Sequence, residues 1–273
     1  MSNARFSAIV LAGERPEGNR LARALGLPAG VLAPLNGRST MARVLDALRG
    51  SRSVSGGVVC GPAATVLEQA PELRDQLARG DFHWRPPASG PAASAAAAAA
   101  DMGTRPLLLT TADHGLLDSA LVDAFCASAS QAGETCPRND LVVGLVPYDL
   151  VHAAFPGSRR TRLRFSDGDY CGSNLFAVLT EPGIRALRFW SEVEAHRKSP
   201  WKIARRLGFL TLLRYLTGTL SVDAAFATMS RRAGCTLGWV TVREPRAAVD
   251  IDSVADWELA RELLAREAGS PMP

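Results

Sequence analysis

The 273-residue chain is almost without lysine: among 31 basic residues only Lys198 and Lys202 are Lys, and the rest are Arg. The net charge of +4 is small for a nucleic-acid binder, whose affinity rests on many phosphate contacts, so no nucleic-acid partner is expected. A chain rich in arginine suits phosphorylated small molecules, because the guanidinium offers a planar fork to phosphate oxygens. The five cysteines (Cys60, Cys126, Cys136, Cys171 and Cys235) are scattered, odd in number and never spaced C-x-x-C. This argues against a zinc site or a disulfide framework and favours a reducing, cytoplasmic setting. No apolar run approaches the roughly 20 residues that span a bilayer. The N-terminal "FSAIVLAG" is short and leads straight into Glu14 and Arg15, so it reads as a buried first strand and not as a signal peptide. There is no Walker A motif and no G-x-G-x-x-G. The four histidines are dispersed, with no Ser/His/Asp set in their spacing. Without internal repeats or a convincing linker, residues 1–273 are expected to form one domain.

What is present is a strand–loop–helix alternation. Phe6–Ala12 is a compact apolar run closed by Gly13, the pattern of a strand buried on both faces. A loop rich in Gly, Pro and Arg then runs to Ser39. A helix is expected over about Thr40–Arg49, a strand at "SGGVVCG", and a helix over Ala63–Arg79 broken at Pro71. Phe82–Arg85 suggests a third strand. "AASAAAAAA" suggests a tightly packed helix, since alanine is the best helix former. Leu107–Thr111 is a strand and Ser119–Ser130 a helix. Such alternation predicts a parallel, doubly wound sheet. In the second half Leu141–Val146 is a strand, and "RLRFSDGDYCGSNLFAV" reads as two strands around the Asp167-Gly168 turn. Helices are expected at Pro182–Arg197, Pro200–Leu216 and Val222–Ala233, a late strand at "CTLGWVTV" and a closing helix at Val254–Glu267.

Four motifs could carry chemistry. In "AIVLAGERPEGNR", backbone N–H groups after the strand and the side chains of Arg15 and Arg20 could surround phosphates. In "LLLTTADHGLL", Asp113 stands at a strand end, where it either opens a turn or holds a hard divalent cation. A second oxygen ligand would have to come from elsewhere, and "AAVDIDSVADW" offers Asp250 and Asp252, although Asp252 or Ser253 could simply cap the following helix. In "SGPAAS", Ser94 either faces a ligand from the start of the alanine helix or is an ordinary helix residue. In "CGSNLF", Gly172 allows close approach and Ser173 and Asn174 offer hydrogen bonds, with a β-bulge as the plain alternative.

Taken in order, strand-"LAG"-basic loop, "PLNGRSTMARVLDAL", "SGPAAS", "LLLTTADHGLL", "GSN" and "VDIDSVADW" resemble the MobA-like nucleotidyltransferases. That resemblance implies a Rossmann-like, GT-A-type, three-layer α/β fold with a mixed, mainly parallel sheet. It implies transfer of an NMP moiety from an NTP to a phosphorylated small-molecule acceptor, with release of pyrophosphate and with Mg²⁺ as cofactor. Leu11, Ala12 and Gly13 would cradle the nucleotide, with Thr111, Ala112 and Ser94 nearby. Arg15 and Arg20 would contact its phosphates. Asp113 would bind the metal with Asp252, or failing that Asp250. Gly172, Ser173 and Asn174 would face the second substrate.

Two positions depart from the family pattern. A lysine is usual just before the "xLxPLxG" segment, where this chain has Gly30, and the usual Gly-Gly after "LA" is Gly13-Glu14. Loss of a cation where phosphate charge develops removes a main source of catalysis. Two alternatives therefore stand beside nucleotidyl transfer: a metal-dependent GT-A glycosyltransferase using a sugar nucleotide, and a degenerate nucleotide-binding protein. The second half also carries a helical insertion at about 181–234. Its stretch "RKSPWKIARRLGFLTLLRYLTGTL" sets basic residues beside an aromatic-aliphatic face. A peripheral membrane contact through residues 197–216 is one reading. The plainer expectation is a helix packed on the core with its arginines reaching outward.

Overall fold

A computed structural model describes residues 5–14, 18–134, 138–195, 208–267 and 269. In chain order the elements are β1 (Phe6–Leu11), α1 (Arg20–Leu25), β2 (Pro34–Leu35), β3 (Arg38–Ser39), α2 (Thr40–Gly50), β4 (Val54–Cys60), α3 (Ala64–Glu68), α4 (Pro71–Leu77), β5 (Phe82–Arg85), α5 (Pro91–Met102), β6 (Leu107–Thr111), α6 (Ser119–Gly133), β7 (Leu141–Pro147), α7 (Tyr148–Ala154), β8 (Leu163–Phe165), β9 (Gly168–Val178), α8 (Ile184–Ala195), α9 (Phe209–Leu216), α10 (Val222–Ala233), β10 (Leu237–Thr241) and α11 (Val254–Glu267).

The main sheet has the order β10-β7-β9-β6-β1-β4-β5, with β8 paired to β9. Every pairing is parallel except those of β9, which runs antiparallel to β6, β7 and β8. The chain leaves β1 toward β4 and later returns to its other side as β6, so the strand order switches there. That crevice at the strands' C-terminal ends is where such sheets bind ligands.

Period-two alternation in β1 splits its side chains between two helical layers. Phe6, Ala8 and Val10 enter a core with Met41, Val44, Leu45 and Leu48 of α2, Leu73 of α4, Phe125 of α6 and Leu264 of α11. Ile9 points the other way, to Ala95, Ala98 and Ala99 of α5 and Ile184 and Leu187 of α8. The alanine run is thus a packing device, because methyl side chains bring α5 close against the strands. A leucine at Ala98, which is fully buried, would overpack that contact at a cost of about 1–3 kcal/mol.

Three features depart from expectation. The segment after Gly13 is not all loop. Asn19 caps α1 by accepting from the N–H groups of Leu21 and Ala22, and Gly26 ends it in the left-handed conformation. The chain also forms α7 directly after β7. The helix expected at Pro200–Leu216 is described only from Phe209, since residues 196–207 lie outside the described set. The described part does not pack its apolar face on the core: Phe209, Leu210, Leu213 and Leu216 are exposed. Among the described residues no helix is long and apolar enough to cross a membrane.

Candidate functional site

The site is built where β1 and β6 end side by side. Leu11 is in register with Thr111, and the N–H of Ala112 donates to the Leu11 carbonyl at 2.9 Å. On β1's other flank the Ala12 N–H donates to the Cys60 carbonyl, also at 2.9 Å. Leu11, Ala12 and Gly13 therefore lie beside Thr111, Ala112 and Asp113. A Cβ on Gly13 would approach Pro87 at 3.1 Å, so the β1 loop runs close to the segment ahead of α5.

Beyond β6 the chain turns at once, the His114 N–H donating to the Thr111 carbonyl at 3.3 Å. The same turn receives the late loop: the Ile251 N–H donates to the Asp113 carbonyl at 3.0 Å. Gly115 permits this approach, since a Cβ there would meet side-chain atoms of Ile251, Leu35 and Thr40 at 2.8 Å. Asp113, Asp250 and Asp252 are thereby gathered at one edge.

Their electrostatics follow from that crowding. Burial, and after it the charge of Asp252, holds the Asp113 carboxyl above the ordinary carboxylate range. Burial raises the Asp250 carboxyl too, reinforced by the charges of Asp113 and Asp252 and opposed by Arg160. Asp113 Oδ1 is buried with no hydrogen-bond partner. The neighbouring Thr111 hydroxyl moderates the Asp113 shift, but its oxygen is likewise buried without a well-formed bond. An orphaned carboxylate oxygen in a group of mutually repelling carboxylates costs free energy that a bound cation would offset. Among the described residues no group of three or more Asp, Glu, His or Cys forms a metal cage. A site with few protein ligands is what Mg²⁺ prefers, since it keeps waters and takes phosphate oxygens. The donor set fits such an ion.

The remaining predicted residues divide. Asn174, in the left-handed region at φ 52°, donates from Nδ2 to Asp250 Oδ1 at 2.5 Å. Gly172 is open, with nothing within 4 Å of a Cβ. Ser173 is fully buried and turned away, its hydroxyl donating to the Gly144 carbonyl at 2.8 Å. A shift in the β7–β9 register accompanies this stretch, so the bulge and the contact to Asp250 coexist. Ser94 is buried in α5, and its hydroxyl accepts from the Ala88 N–H at 2.9 Å, fixing the loop before the helix. Helix α11 is capped by Ser253, whose hydroxyl accepts from the Asp256 N–H at 3.2 Å while Asp256 accepts back from Ser253. That leaves Asp252 exposed and outside the cap. Arg20 is exposed at the first position of α1, and Arg15 lies outside the described residues. His114 is fully buried and held neutral, burial pushing it down to about 4 against the charge of Asp118.

Two features were missed in the sequence. Arg160 donates to the Asp250 carbonyl at 3.2 Å, to Ser158 at 2.8 Å and to Asp256, tying the acidic loop to α11. Its place in the basic run "SRRTR" gives no signal that separates it from its neighbours. The second is that the two departures from the family pattern touch each other. Glu14 accepts from the Gly30 N–H at 2.5 Å, and a Cβ at position 30 would come within 2.4 Å of the capping Asn19. The acid and the missing lysine are one arrangement.

The comparisons agree with this architecture. A family model described as a MobA-like NTP transferase domain matches residues 8–179. A hypothetical transferase from Thermus thermophilus superposes with a TM-score of 0.74 at 28% identity, covering 93% of this chain and 99% of that one. A CMP:2-keto-3-deoxy-manno-octonic acid synthetase complexed with CTP gives a TM-score of 0.59 at 12% identity, covering 97% and 100%. A 4-diphosphocytidyl-2C-methyl-D-erythritol synthase from Anaerococcus prevotii gives 0.54 at 11%, covering 97% of each chain. At such identities the last two show a common fold. No curated protein sequence matches the chain.

Proposed function

Since the chain belongs to the MobA-like NTP transferase family, we propose that it transfers a nucleoside monophosphate from an NTP to a phosphorylated small molecule, releasing pyrophosphate. The observation that carries this reading is the orphaned, desolvated carboxylate of Asp113 at the switch point, flanked by Asp250 and Asp252 and adjoining the Leu11–Gly13 loop. The Leu11–Gly13 backbone receives the nucleotide, with Thr111 and Ala112 beside it. Arg15 and Arg20 steady the triphosphate.

Asp113 and Asp250 would hold Mg²⁺, with Asp252 at the rim. When bound, the ion neutralises phosphate charge and polarises the α-phosphate. The acceptor's own phosphate oxygen attacks the α-phosphorus in line, the bond to the β-phosphate oxygen breaks, and pyrophosphate leaves with that electron pair. The nucleophile is already ionised, so no protein base is required, which suits a site where the nearby His114 imidazole is buried and neutral. Asn174 orients Asp250 through its amide, and Arg160 fixes the loop that carries it.

The test is a screen of the purified protein with four NTPs, and separately with sugar nucleotides, against sugar, polyol and cofactor phosphates, reading pyrophosphate, free NDP and nucleotide binding. Release of pyrophosphate with one acceptor supports the reading. Turnover of a sugar nucleotide to free NDP points to the glycosyltransferase, and NTP binding with no turnover across the panel points to a degenerate binder.

A further inference from the structure

Among the described residues, helix α9 is attached to the fold through its Tyr215 side. Tyr215 packs edge-on against Phe165 of β8 with ring centroids 5.9 Å apart, and its hydroxyl accepts from the Arg164 N–H at 3.4 Å. Phe209, Leu213 and Leu216, at i, i+4 and i+7, lie on the opposite side with Leu210 next to them. Their exposures are 66, 46, 73 and 68% for Phe209, Leu213, Leu216 and Leu210. At about 100° per residue these four occupy an arc of roughly 120°, with Arg214 at its margin. An isolated exposed leucine needs no explanation, whereas four large apolar side chains along one helix face do.

Charge says what covers them. From residue 195 to 222 the sequence contains six Arg or Lys and not one Asp or Glu; of the six, Arg214 lies among the described residues and the other five enter only as sequence charge. The six together exceed the net +4 of the whole protein, so the remainder is net negative. Among the described residues, Arg164 and Arg214 are exposed beside the helix, and the Arg232 guanidinium lies 2.8 Å from where a Cβ on Gly208 would sit. The nearby acids are engaged: Asp167 accepts from the Val222 N–H at 3.0 Å and Asp223 from the Trp239 indole at 2.8 Å. We propose that the exposed face of α9 docks the protein on the surface of an anionic lipid bilayer. An apolar stripe rimmed by cations is the chemistry of an interfacial helix, seated in the headgroup region without crossing the membrane.

The docking face lies at the active end of the sheet. Strand β9 pairs through Phe176 with Leu109 of β6, so its earlier residues, from Gly172 back to Gly168, extend past the C-terminal end of β6. The β8–β9 hairpin that supports α9 therefore rises from the same edge as Asp113 and Asp250.

The experiment is flotation of the full chain with vesicles of phosphatidylcholine alone or with about a third phosphatidylglycerol. The protein is expected to float with the anionic vesicles, and less as salt is raised. Leu213→Glu with Leu216→Glu should lower partitioning at least about tenfold, and Arg214→Glu by about an order of magnitude. Both should keep the parent's melting temperature and NTP affinity. No flotation of the parent on anionic vesicles at low salt, or equal flotation of the parent and the double variant, overturns the proposal. A dimer that the double variant splits, with neither protein floating, overturns it in favour of a second copy of the chain. Vesicle binding is read without turnover, so this outcome is independent of the proposed reaction.

Discussion

The two sides of the candidate site are built differently. On one side Asp113, Asp250 and Asp252 are gathered by contacts from four separate parts of the chain: the β6 turn, the Ile251 N–H, the Asn174 amide and the Arg160 guanidinium. On the other, the loop after β1 carries its own anion, Glu14, held on the backbone N–H of Gly30, with Arg20 exposed nearby in sequence. The acidic side is preorganised at an electrostatic cost, with buried carboxylates repelling one another. The phosphate side is tied down by one hydrogen bond and a helix cap. A cation placed on the first side compensates what is already there, whereas the triphosphate must find its positive partners on the second.

The sharpest way to break this comparison is Asp113→Asn. If the carboxylate serves the reaction, turnover falls by about 10³. The folded protein without metal should be no less stable, because an amide there removes a desolvated charge. Pyrophosphate release and thermal unfolding in chelator measure the two effects. Full turnover with a lowered melting temperature would make Asp113 a turn residue only.

Arg160→Ala ranks next. It strips the partly buried Asp256 of its ion pair with the nearly buried Arg160 and frees the Asp250 carbonyl, so urea unfolding should show a loss of about 2 kcal/mol. A loss below about half a kcal/mol, the level of a surface substitution, would mean that the acidic loop is not held by Arg160.

Gly30→Lys probes the other side with a smaller effect. Its Cβ must displace Asn19 from the α1 cap, costing about 1–2 kcal/mol, and NTP affinity should not rise. Tighter NTP binding at unchanged stability would show that the phosphate side lacked a lysine it could readily accept.

The contrast also explains what could be read from the sequence. β1, β6 and the position of Asp113 just past a strand end were legible because an apolar strand ended by Gly13 or by "TADHG" is a local pattern. The alanine helix and the break at Pro71 are local in the same sense. The Asn174–Asp250 bond, the Arg160 brace and the Glu14–Gly30 contact join residues that only the folded sheet brings together. Helix α1 had its signals, Asn19 and Gly26, but six residues are too few for an apolar period to show. Helix α9 misled for another reason: amphipathicity shows that a face is apolar, and not whether the core or something outside covers it.

The most direct measurement of the central claim is Mn²⁺ binding followed by electron paramagnetic resonance, with Mn²⁺ standing in for Mg²⁺. The account predicts that the parent protein with NTP withdraws free Mn²⁺ from solution. Asp113→Asn and Asp250→Asn should each bind it at least about tenfold more weakly at unchanged melting temperature. Equal Mn²⁺ binding by the parent and both variants would contradict the claim that these carboxylates form a cation site.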